Sequence, residues 1–116
     1  MSSDSQNPAV THPLCICAAL RLALEIRALN RNDTPVTFSV LKERLAPEMG
    51  RNTVSNALDE VGDWGIAEGH YGPLGDGRAG YCYMITEHAA PLLNNLAEKF
   101  RAGKVVYIPE VADARQ

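Results

Sequence analysis

The side chains with the clearest chemical capacity fall in two short stretches. Arg51-Asn52-Thr53-Val54-Ser55-Asn56 gathers amide and hydroxyl groups, and Asp76-Gly77-Arg78 sets a carboxylate two residues before a guanidinium. An Asn amide carries a donor beside an acceptor and can bond an adenine edge in bidentate fashion; Ser and Thr bond bases or phosphates, and a carboxylate such as Asp59 accepts from the cytosine amino group. Lys42 and Arg44 read either as phosphate contacts or, beside Glu43 and Glu48, as a solvated charged face. Catalysis calls for other patterns. No nucleophile stands with a base, no carboxylates pair in an apolar setting, and Gly75-Asp76-Gly77 with Gly80 sit in a turn-rich loop, not between a strand and a helix. No enzymatic activity and no cofactor is therefore expected. Cys15 and Cys17 are two apart, so on a helix they point to different sides, and His12, His70 and His88 lack ligand spacing. No metal site is expected, and the cysteines read as small buried hydrophobes.

These groups need a frame, and 116 residues suffice for one domain that folds without staples. Residues 1–12, rich in Ser, Asp, Asn, Gln and Pro, read as a mobile arm, 13–102 as the domain, and 103–116 as a tail whose Val105–Ile108 run is a candidate strand. Pro13 opens a helix expected over Leu14–Asn30, stopped by Asn30-Arg31-Asn32-Asp33. Arg21, Glu25 and Arg27 are its main polar residues; a helix apolar nearly all round implies burial on more than one side, hence an interface between copies. Thr34-Pro35-Val36 is β-prone, and Thr37 is the expected N-cap of a helix over Phe38–Leu45. After the Pro47–Gly50 turn a helix is expected over Asn52–Trp64, with Val54, Ala57, Leu58 and Val61 inward. That leaves Asn52, Thr53, Ser55, Asn56 and Asp59 outward, with Asn52 or Thr53 alternatively serving as its cap. A hairpin over Ile66–Thr86 with a tip at Gly72–Gly80 follows, then a helix capped by Thr86 and reaching Ala102, where Gly103 ends it. The expected core includes Leu20, Leu24, Leu41, Leu45, Val54, Leu58, Val61, Ile66, Ile85 and Leu93.

Helix, short strand, helix, turn, helix, hairpin and helix is the winged helix-turn-helix order, an α+β and mostly helical class. Asn52-Thr53-Val54-Ser55-Asn56-Ala57-Leu58-Asp59-Glu60-Val61, Trp64-Gly65-Ile66-Ala67-Glu68, Asp76-Gly77-Arg78 and Tyr83-Met84-Ile85-Thr86-Glu87 together resemble the MarR and PadR-like regulators over roughly residues 38–100. The chain departs from full-length MarR proteins in lacking their long terminal dimerisation helices. The resemblance implies double-stranded DNA as partner, the helix from Asn52 in the major groove, and an Asp-x-Arg wing that sends Arg78 into the minor groove. Arg51 then sits close to the backbone.

Composition limits how this works. Fourteen acidic against eleven basic residues give a net charge of −3, so any DNA contact must be local. A homodimer through the first and last helices would concentrate the few arginines on one face. The three cysteines form an odd set with no secretory signal ahead of them, which favours the cytoplasm over a disulfide framework. The apolar run to Ile26 is too short to span a bilayer. The alternative reading is a winged-helix protein-interaction module without DNA affinity.

Overall fold

The computed structural model describes residues 12–109, so most of the expected N-terminal arm and the last seven tail residues lie outside the described part. Its order is β1 (Leu14–Cys15), α1 (Ala18–Arg31), α2 (Phe38–Leu45), α3 (Arg51–Asp63), β2 (Ala67–Pro73), β3 (Ala79–Ile85), α4 (Ala90–Arg101) and β4 (Val105–Val106). This is an α+β domain with four helices and a small antiparallel hairpin among the described residues.

Local chemistry accounts for most boundaries. The Thr37 hydroxyl accepts from the Val40 N–H at 3.2 Å, the expected cap of α2. Helix α1 ends where Asp33 adopts φ 57°, and the Asp33 and Thr34 N–H groups donate to the Asn30 and Leu29 carbonyls. The same paired closure ends α3 at Gly65 and α4 at Gly103, where a left-handed residue turns the chain back on the last carbonyls.

Two helix starts differ from expectation. Leu14 and Cys15 are extended, not helical: they pair in parallel with Val105 and Val106, the Leu14 N–H donating to the Lys104 carbonyl and the Ile16 N–H to that of Val106. A partner at the far end of the chain outweighs local helix propensity here, and the candidate tail strand is the partner. Thr86 does not cap the last helix. Its hydroxyl donates to the Gly65 carbonyl at 2.8 Å, tying the foot of the hairpin to the end of α3, and Ala89 takes the cap position of α4 without a side-chain bond.

The hairpin pairs Ala67 with Ile85 through Pro73 with Ala79, and the tip is residues 74–78. The β-prone stretch before α2 adds one rung, the Tyr83 N–H donating to the Val36 carbonyl at 2.9 Å. The core lies around α1, whose Leu22, Ala23, Ile26 and Leu29 are buried with Val36, Leu41, Leu45, Val54, Val61, Ile85 and Leu93 from every neighbouring element. Leu20, Leu58 and Ile66, expected inside, are half-buried at its rim. Within one chain α2, α3, the hairpin and α4 pack on α1 and cover most of its apolar surface. The three cysteines are free and half-buried, less enclosed than expected.

Candidate nucleic-acid interface

Helix α3 is anchored by Val54, Ala57 and Val61, all buried, which fixes the direction of the opposite face. That face carries Asn52, Ser55, Asn56 and Asp59, exposed, while Thr53 is half-buried at its edge. The cap is Gly50, with no side-chain bond, so neither Asn52 nor Thr53 is used as a cap. Among the described residues, the side chains of Arg51, Asn52, Ser55 and Asn56 make no hydrogen bond or ion pair. Their donors and acceptors are open to an external polar ligand. The charge along the helix is uneven: Arg51 stands at its first residue, and Asp59, Glu60 and Asp63 are exposed in its second half.

The expected basic residues divide into free and committed. Lys42 on α2 is exposed and without a partner among the described residues. Arg44, two residues on, donates from Nε to Glu25 Oε2 at 3.1 Å. Glu25 is the buried carboxylate of the core region, and its other oxygen accepts from Arg21 at 3.1 Å; Arg21 also binds Glu48 at 2.9 Å. This chain of alternating charges satisfies Glu25 and joins α1, α2 and the turn into α3. It sets the position from which α3 projects, and it draws Arg44 toward α1.

At the hairpin tip Arg78 binds Asp76 Oδ2 through Nε at 2.9 Å and Nη2 at 2.7 Å, and the Arg78 N–H donates to Oδ1. Both residues are exposed, and these bonds hold the Asp76 carboxyl below its ordinary range. Asp76 thus fixes the guanidinium in one orientation at the tip while leaving it a positively charged outer edge.

One feature of the hairpin is not among the expected site residues. Tyr71 and Tyr81 meet edge to face at 5.2 Å, and Tyr81 stacks on Tyr83 at 6.5 Å, forming a ladder along one face. Gly69 opposite Tyr83 makes room for it: a Cβ there would lie 2.9 Å from the Tyr83 ring. Burial raises the Tyr83 phenol pKa, with Tyr81, the Asp59 carboxylate and Cys82 adding to the effect, so the ladder's inner end lies within electrostatic reach of α3. Alternation at 81 and 83 is visible in the sequence, but the pairing of Tyr71 with Tyr81 depends on the hairpin register.

Among the described residues no three His, Cys, Asp or Glu side chains gather as a metal-binding group, and no helix is long and apolar enough to cross a membrane. No protein-family model matches the chain, and no curated protein does. Among solved structures it is similar to the crystal structure of Pex from Synechococcus sp. (strain PCC 7942), at 17% identity and a TM-score of 0.46, over 80% of this chain and 90% of that one.

Proposed function

We propose that the chain is a winged helix-turn-helix protein that binds double-stranded DNA as a cytoplasmic homodimer and regulates transcription, without catalysis. The observation that carries this reading is the front face of α3: Asn52, Ser55 and Asn56 are exposed, have no partner among the described residues, and project from a helix whose opposite face is locked in the core. Unpaired amides and hydroxyls on a rigid helix suit the donor and acceptor pattern of a major groove. Arg51 and Lys42 would neutralise phosphates beside it, Arg44 and Arg78 each share their charge with a carboxylate, Glu25 and Asp76, and Arg78 would reach the adjacent minor groove. The acidic second half of α3 confines the approach to its first turns. Selection of bound duplexes from a random pool, followed by gel shifts at increasing salt, tests the reading. A recurring pseudo-palindrome whose binding weakens with salt is the expected result, and a pool with no enriched sequence contradicts it.

A protein-interaction module without DNA affinity is the second reading, favoured by the net charge of −3 and by the exposed tyrosine ladder. Selection that enriches nothing would leave this reading standing.

A further inference from the structure

Helices α1 and α4 run antiparallel, since Arg21 lies over the Phe100 ring at 5.1 Å while Arg27 donates to Asn94 Oδ1 at 2.9 Å. Between their outer edges is a cleft of about 300 Å³. Leu24, Ala28 and Ala97 supply apolar lining, and Arg27, Arg31 and Arg101 supply three guanidinium groups. Among the described residues no acidic side chain lines it. A second hollow of about 190 Å³ shares Leu24, Ala28, Ala97 and Arg101 and extends the apolar lining to Phe100, with the ion-paired Arg21 and Glu25 also at its wall.

The arginines of this cleft differ from three of the other four described in the chain; the fourth, Arg51, is also unpaired among the described residues but stands at the start of α3. Arg21, Arg44 and Arg78 each bind a carboxylate. Arg27 bonds only the neutral Asn94 amide, and among the described residues Arg31 and Arg101 have no partner. A cation in the last turn of a helix complements the helix dipole, which accounts for Arg31 and Arg101 singly. It does not account for Arg27, mid-helix, nor for three like charges around one cleft in an acidic protein. Their mutual repulsion is relieved by an anion between them.

We infer that the α1–α4 cleft binds a small organic anion, its carboxylate, sulfonate or phosphate group held by Arg27, Arg31 and Arg101 and its apolar body lying on Leu24, Ala28 and Ala97. The volume matches the lower end of the roughly 300–1,000 Å³ typical of small-molecule sites, enough for a ligand of one or two rings. The apolar lining distinguishes this ligand from inorganic phosphate, which has no surface to bury there. No residue of α3, β2 or β3 lines the cleft, so the inference stands apart from the DNA reading.

The test is a fluorescence titration of the full chain with 8-anilinonaphthalene-1-sulfonate, whose sulfonate and rings match the two halves of the site, with amide NMR shifts mapping where it binds. Saturable binding with shifts confined to α1 and α4 is expected. The exposed double variant Arg31→Gln/Arg101→Gln should keep its circular dichroism and bind the sulfonate about tenfold more weakly or worse, while uncharged N-phenyl-1-naphthylamine is unaffected. DNA binding in that variant should be unchanged, which separates failure of this site from failure of the DNA reading. Shifts centred on the tyrosine ladder, unchanged affinity in the variant, or equal affinity for inorganic phosphate would each overturn the inference; the wild-type map decides the matter even if the variant does not fold.

Discussion

Arg78 and Asp76 show how a single exposed pair can matter without stabilising the fold. Both are open to solvent, where an ion pair adds little to stability, so their value lies in holding a guanidinium at the hairpin tip in a defined orientation. Because the folded pKa of Asp76 is depressed, the paired form persists through the ordinary carboxylate range and is lost only as pH falls through the lowered value. A carbon-detected NMR titration of the Asp76 carboxyl should therefore show a midpoint below 3.8, and Arg78→Ala should return it to the ordinary value. An unshifted midpoint in the unmodified protein would mean that the pair does not persist in solution. The pairing of Arg44 with Glu25 is the opposite case: the sequence shows Lys42 and Arg44 as equals, yet a buried carboxylate on α1, nineteen positions away, engages only the second.

Elements defined by their own neighbours in sequence are legible from it, and those defined by remote partners are not. Thr37 and the apolar positions Leu41 and Leu45 mark α2 to the residue, and Gly103 marks the end of α4. Leu14 and Cys15 carry no such mark, since what makes them a strand is Val105 and Val106. The outward face of α3 was legible because the helical period alone separates Asn52, Ser55 and Asn56 from Val54, Ala57 and Val61; the arginine cleft was not, because it requires knowing that α1 and α4 are antiparallel neighbours. One joint between elements is unexpectedly specific. The Asn30 side chain, in the last turn of α1, donates to the Tyr83 carbonyl at 3.2 Å and accepts from the Ile85 N–H at 3.0 Å, so it holds β3 against the core. Asn30→Ala removes both bonds and should cost about 1–3 kcal/mol in urea unfolding. Amide exchange should quicken at Ile85 more than in α3. Equal protection at Ile85 in both proteins would show that the hairpin does not depend on this joint.

For the whole molecule, we propose that copies meet through the exposed flank of α4 rather than through α1. Helical spacing puts Leu92 and Leu96 on the flank of α4 opposite Asn94 and Arg101, and Leu92 is 59% exposed. A homodimer through that flank leaves the arginine cleft open and brings two copies of α3 into one assembly; sedimentation should give twice the chain mass, and Leu92→Glu should give a monomer. A monomeric unmodified protein at micromolar concentration would rule the dimer out. Since the net charge of −3 supplies no general attraction for DNA, binding has to come from a few placed groups. Loss of any one should therefore be felt in a characteristic way. The most direct measurement is fluorescence anisotropy on a selected duplex and on a random one, across a range of salt, for the unmodified protein, Asn56→Ala and Arg78→Ala. Asn56→Ala should weaken the selected duplex by about 1–3 kcal/mol and leave the random one nearly unchanged, because a base contact carries the sequence information. Arg78→Ala should weaken both and flatten the salt dependence, because a tip arginine acts through charge. Full affinity and full sequence preference in both folded variants would contradict the proposed docking of α3 and the hairpin on DNA.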